Sequence, residues 1–160
     1  MDAFSYFNSF VNGISVNAKF LIVRDDDIDG VTSGVQLLKF LQKLLPKAKI
    51  DLIFGNPGEV LLEHKKKITE YDKVIFQDVD VNWDAANCMI IDHHIQAYKY
   101  DKSLIIKPDQ ITKNVTMDQY CTAKLTFDLI NAHTSMPELK WIACVGMIGD
   151  HCEKSRKNRA

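Results

Sequence analysis

Five short apolar runs, alternating with segments of helical spacing, constrain this chain more than any other feature. Residues 19–24 (Lys-Phe-Leu-Ile-Val-Arg), 50–54, 73–77, 88–91 and 103–106 carry most of its densest Ile, Val, Leu and Phe. Runs this short, apolar at successive positions, suit strands buried on both faces of a parallel sheet. Between them, Gly34, Leu37, Leu38, Leu41, Leu44 and Leu45 recur at helical spacing until Pro46 stops the pattern. Residues 55–58 read as a turn and 59–69 as a helix. Met117, Cys121, Leu125 and Leu129 mark one face of a further helix, and residues 141–149, apolar all round, predict a buried one. An opening helix carries Phe4, Phe7, Phe10 and Val11, with Gly13 placed to end it. Strands alternating with helices imply β-α-β units, hence an α/β fold: a doubly wound, mostly parallel five-stranded sheet flanked by helices.

At 160 residues, 46% hydrophobic and 26% charged, the chain suits one globular domain with its own core. Residues 1–153 are expected to form that domain, with residues 154–160 as a basic tail or truncated linker. No apolar run approaches the ~18 residues a bilayer requires, so no membrane partner is expected. Residues 1–3 (Met-Asp-Ala) do not open a signal peptide. Cys88, Cys121, Cys144 and Cys152 form no Cys-x-x-Cys pair, which argues against a zinc ribbon or a disulfide scaffold and for a reduced, cytoplasmic protein. A formal net charge of -1 excludes bulk attraction to a polyanion, so such a substrate must be held by local features.

In open parallel sheets, ligands bind beyond the carboxyl ends of the strands. The first run is followed by Asp25-Asp26-Asp27-Ile28-Asp29-Gly30, the third by Asp78-Val79-Asp80 and the fourth by Asp92-His93-His94; the last helix ends in Gly149-Asp150-His151. Carboxylates gathered this way repel one another and take up protons unless a cation intervenes. Asp25, Asp27 and Asp29 alternate, so an extended loop would aim all three to one side. Asp150, at a helix C-terminus, opposes the helix dipole. A divalent metal resolves each conflict. Oxygen and imidazole donors without thiolate favour Mn²⁺ or Mg²⁺, and the donors are too many for one ion. Two ions ~3.5–4 Å apart, serving phosphoester hydrolysis, is the reading these residues support.

The acidic segment 25–30, Asp78 at a strand end, Asp92-His93-His94 and Gly146-Met147-Ile148-Gly149-Asp150 resemble, in order, the four signature motifs of the DHH phosphoesterase superfamily. The resemblance spans about residues 18–153. The first motif, with Asp25 where several relatives place a histidine, is most similar to the RecJ branch, whose members are Mn²⁺-dependent single-strand exonucleases. It implies metal ligation by Asp25, Asp27, Asp29, Asp78, His93 and Asp150, with Asp78 bridging two ions, and contact of His94 with the scissile phosphate. It also implies single-stranded DNA or RNA as partner. The alternatives are a RecJ-related scaffold among replication proteins and a phosphoesterase acting on very short oligonucleotides. Members of the superfamily usually continue into a second domain that clamps the substrate, and that domain is expected to be absent here.

Other polar residues carry blander expectations. Asp80 is expected to support the site or face solvent, and Asp92 to orient a neighbouring ring or cap its loop. Asp26 points away; Thr32 and Ser33 cap the following helix. His64 and Lys65 to Lys67 mark a solvated face. His133 fits a polar helix end. His151 is a surface residue or touches substrate, and Cys152 lacks a base to make it a nucleophile. The Phe4, Phe7, Phe10 stripe packs in the core. The basic residues are too few and scattered for a continuous backbone-binding groove.

Overall fold

The computed structural model of the chain describes residues 2–55, 68–116, 119–152 and 154. Its sheet consists of β1 (Lys19–Arg24), β2 (Lys49–Phe54), β3 (Lys73–Gln77), β4 (Cys88–Ile91) and β5 (Leu104–Ile106), in the order β2-β1-β3-β4-β5. All four neighbouring pairs are parallel. The expected α/β sheet is therefore present, wholly parallel among the described residues. β1 leads outward to β2 on one side, and β3 returns on the other. The order reverses between β1 and β3, the switch point at which such sheets open a crevice at their carboxyl ends.

Among the described residues the helices that accompany it are α1 (Ala3–Val11), α2 (Ile28–Leu44), α3 (Thr122–His133) and α4 (Lys140–Gly149). Side chains of β1 alternate between two cores, as the two-residue strand period requires. Phe20 and Ile22 join Phe7, Phe10, Leu37, Phe40, Leu125, Leu129 and Ile142 from the helices. Leu21 and Val23 face the other way, with Phe76, Ile90, Ile68, Tyr71, Val79 and Val81. Each large side chain so buried contributes about 1.5–3 kcal/mol relative to exposure. His133 closes the first core: its ring lies edge-on to Phe7 and Phe40, and its Nδ1 is 2.6 Å from Asn8 Oδ1. No helix among the described residues is long and apolar enough to cross a membrane.

Three local expectations are corrected. α2 begins at Ile28, not near Gly34, so Asp29 lies in a helical first turn rather than in an extended loop. Its N-cap is Asp27, whose carboxylate accepts from the Gly30 amide at 2.7 Å, and not Thr32 or Ser33. Those hydroxyls instead donate back to the Ile28 and Gly30 carbonyls within the helix. α4 is not buried all round: Ile142, Ala143, Gly146 and Met147 face inward, while Trp141, Val145 and Ile148 are exposed. The turn proposed from Asn56 onward, the helix before Ile68, His64, Lys65 to Lys67, Met117 and the tail beyond Lys154 lie outside the described residues.

Candidate metal centre

The acidic segments meet above the switch point. β1 delivers Asp25 and, through the α2 cap, Asp27. Gly30 permits this tight passage: a Cβ there would lie 2.6 Å from the Asp25 carbonyl oxygen. β3 is followed at once by Asp78, whose backbone turns into the left-handed region (φ 61), a conformation that Asp tolerates better than most residues. β4 ends at Asp92, His93 and His94, and α4 at its C-cap, Asp150.

His93 Nε2 lies 3.5 Å from Asp78 Oδ1, 3.9 Å from Asp29 Oδ2 and 3.9 Å from Asp150 Oδ2. Oxygen and nitrogen donors within 4.8 Å of one another form, among the described residues, the sets Asp25-Asp27-Asp78, Asp29-His93-Asp150 and Asp78-His93-His94. All six positions expected as ligands thus come together, with Asp78 in two of the three sets. Asp29 and Asp78 are buried, Asp25 and Asp150 half-buried, and Asp27 exposed.

Electrostatics mark the cluster as costly for the protein alone. Burial, reinforced by neighbouring Asp29, pushes the Asp78 carboxyl up to about 8. Burial and Asp150 raise Asp29 to about 7, against two amide hydrogen bonds that oppose the rise. Asp25 and Asp150 also lie above the usual carboxylate range, chiefly through burial. Asp78 Oδ2 is buried and accepts no hydrogen bond among the described residues. These carboxylates are hard donors, and with one borderline imidazole and no thiolate among them they fit Mn²⁺ or Mg²⁺.

His94 is built differently. Its Nδ1 lies 2.8 Å from Asp92 Oδ1, and this bond lifts the imidazole to about 9. Asp92, fully buried, also pairs with the Lys107 ammonium, which reaches the His94 carbonyl at 2.8 Å. Burial opposes ionisation of Asp92, yet His94 and Lys107 together hold it down at about 2. Asp92 therefore orients its neighbour, as expected, but the ring is that of His94. Asp80 accepts from the Ala97 amide and the Tyr100 hydroxyl, fixing the loop after β4. It also lines a cavity of about 290 Å³ with Asp25, Asp78, His94, Ile95, Ala97 and Tyr98. Asp26 is exposed, as is His151.

Sequence reasoning missed Thr122 and Lys107, and a structural part for Asp29 beside its expected role as a ligand. Asp29 accepts from the Thr122 and Ala123 amides, each at 2.7 Å, closing the N-terminus of α3 in place of its own N-cap Cys121, which makes no side-chain capping bond. Thr122 Oγ1 donates to Asp78 Oδ1 at 2.8 Å, and Lys107 anchors Asp92. Lys107 opens a stretch that reads as a polar connection, and Thr122 lies in the span that reads as a helix from Met117, a helix that starts only at Thr122 with Cys121 as its N-cap; the fold alone brings both to the crevice. Gly146 lets α4 approach, since a Cβ there would lie 2.4 Å from both Ala123 Cβ and Thr32 Oγ1.

The model described as DHH family, N-terminal domain, matches residues 19–149. No curated protein is similar enough to match. The chain superposes on a crystal structure of exonuclease RecJ bound to manganese with a TM-score of 0.74 and 16% identity, covering 99% of this chain and 46% of that one. RecJ from Thermus thermophilus in complex with Mn²⁺ gives 0.67 and 17%, covering 98% and 25%. CDC45 from Entamoeba histolytica gives 0.69 and 15%, covering 92% and 34%. The chain spans less than half the length of each. At these identities the likeness speaks for the fold, while the match over residues 19–149 takes in the first three acidic segments and runs to the end of α4, one residue short of Asp150, and by it the chain belongs to the DHH family.

Proposed function

We propose that this protein is a metal-dependent phosphodiesterase of the RecJ type, hydrolysing single-stranded nucleic acid with two Mn²⁺ or Mg²⁺ ions. The observation that carries the reading is Asp78: a buried carboxylate shared by two donor sets, with one oxygen left without a hydrogen-bond partner among the described residues. Asp25, Asp27 and Asp78 would hold one ion, and Asp29, Asp78, His93 and Asp150 the other. The ions, when bound, supply water activation and neutralise phosphate charge.

The chain's own residues do the rest. Thr122 orients Asp78, and the two α3 amides orient Asp29. His94, protonated at neutral pH and tied to Asp92 through Nδ1, has Nε2–H to offer a non-bridging phosphate oxygen as charge builds in the transition state. No side-chain nucleophile is needed: Cys121 and Cys152 are buried, and burial is among the causes that raise the Cys121 thiol. Residues 1–153 make up the catalytic unit in this reading. Its weak basic character leaves most backbone contacts to a further lobe or partner. The likeness to CDC45 favours a second reading, a replication scaffold, against which stands the full set of donors.

Calorimetric titration of Mn²⁺ into wild type and Asp78→Ala tests the centre, and equal weak heats from both would refute it. A long single strand, a dinucleotide and a metal-free control separate exonuclease from small-substrate activity. Turnover in ¹⁸O-labelled water should place label directly on the released phosphate.

A further inference from the structure

Three of the four cysteines, Cys121, Cys144 and Cys152, gather in one small cluster. Cys121 is the N-cap of α3, and Cys152 follows α4 by three residues. His151 takes a left-handed conformation (φ 56), which turns the chain back so that the Cys152 amide donates to the Met147 carbonyl at 2.9 Å. That turn brings the Cys152 thiol beside Cys121, with which it hydrogen-bonds. Cys121 and Cys152 are fully buried, and Met147 and half-buried Cys144 pack against the pair. All four cysteines are thiols.

One carboxylate oxygen of Asp150 and both Sγ atoms lie within 4.8 Å of one another. A tetrahedral ion with Zn–S bonds of about 2.3 Å sets its sulfurs about 3.8 Å apart, so little closure is needed. Two sulfurs and a carboxylate in sulfur-rich surroundings differ in kind from the oxygen-and-imidazole donors next door; soft donors select Zn²⁺ over Mn²⁺ or Mg²⁺. Asp150, its side chain 22% exposed, forms the solvent edge through which an ion would enter.

We infer that Cys121, Cys152 and Asp150 form a separate site for a thiophilic divalent cation of the Zn²⁺ type. Ligation forms two metal–sulfur bonds and breaks two S–H bonds, the protons passing to solvent. Asp150 also belongs to the set with Asp29 and His93. Zn²⁺ at the thiols therefore draws a ligand from the neighbouring centre and weakens Mn²⁺ there by about tenfold. That competition, unlike the thiolate site itself, rests on the metal-centre reading above.

Co²⁺ added anaerobically to the reduced full chain provides the test. Wild type should develop a sulfur-to-cobalt charge-transfer band, saturating at one equivalent, that Zn²⁺ removes and excess Mg²⁺ does not. Cys121→Ser and Cys152→Ser should lose the band, and Asp78→Ala should keep it. No band in wild type, or a band surviving Cys152→Ser, overturns the site. Should Cys121→Ser fail to fold, wild type still decides: X-ray absorption of the chain loaded with one Zn²⁺ must show two sulfur neighbours at about 2.3 Å, and a shell of oxygen and nitrogen alone overturns the site. A cobalt band in a protein that binds no Mn²⁺ upholds this site and sinks the proposed function instead.

Discussion

Replacing Asp78 by Asn should stabilise the metal-free protein while crippling Mn²⁺ binding at the carboxylate centre. Asp78 sits in the interior with its carboxyl raised from an ordinary 3.8 to about 8, first by burial and then by Asp29. A carboxyl whose folded pKa exceeds its unfolded value penalises folding, because the unfolded chain ionises more easily. The penalty is nil below pH ~4, grows as pH rises, and is complete above the folded value of about 8. At pH 7 the gap from 3.8 is about three units, an upper bound near 4 kcal/mol; sharing the cluster with Asp29 and His93 brings it to about 2–4 kcal/mol. Asn removes the penalty at little cost. Its carbonyl oxygen still accepts from Thr122, and Asn adopts the left-handed backbone (φ 61) as readily as Asp. For a chain of this length the gain corresponds to roughly 4–16 °C in Tm. Thermal melts in EDTA at pH 5, 6, 7 and 8 would read it, the advantage of Asp78→Asn widening with pH. Saturating Mn²⁺ should erase or reverse it, since only wild type gains from ligand binding. A variant less stable than wild type at pH 7.5 without metal, or an advantage independent of pH, would refute the argument.

Mn²⁺ affinity should rise between pH 6 and 8, because Asp29 and Asp78 must lose protons to bind it; calorimetry in two buffers of different ionisation enthalpy would count the protons, and a flat affinity would contradict the shifts. Asp29→Ala should cost about 2–4 kcal/mol in urea denaturation, since it strands two buried amides at ~1–3 kcal/mol each while relieving one crowded carboxylate. A loss below ~1 kcal/mol would show that the end of α3 finds another acceptor. In Asp92→Asn the His94 imidazole should fall from about 9 toward its ordinary 6.5, as NMR titration would report, and any turnover should drop more at pH 8 than at pH 6.

The sheet was legible because burial on both faces leaves its mark residue by residue: runs such as 19–24 and 73–77 have few other ways to be satisfied. The convergence of the candidate ligand positions was legible because they follow strands or a helix at the carboxyl end, where parallel topology collects what the loops carry. What escaped was pairwise. That Asp29 closes α3, 93 positions along the chain, depends on how α2 and α3 pack. Alternation suggested an extended acidic loop, but Asp27 caps a helix there, and the capping bond outweighs a weak spacing argument. The exposed face of α4 was misread because apolar composition does not say which side meets a neighbour.

The tie between Asp29 and α3 bears on how such a protein would decay if its lineage were released from chemistry. Selection for folding alone would discard Asp78 early, since its loss relieves strain in the charge distribution. It would retain Asp29 long afterwards, because the helix end hangs on that side chain whatever ion is or is not beside it. A surviving Asp29 is thus poor testimony to an active ancestor, a fossil that persists for architectural reasons. An intact Asp78, which the fold on its own terms is better without, is the witness worth weighing.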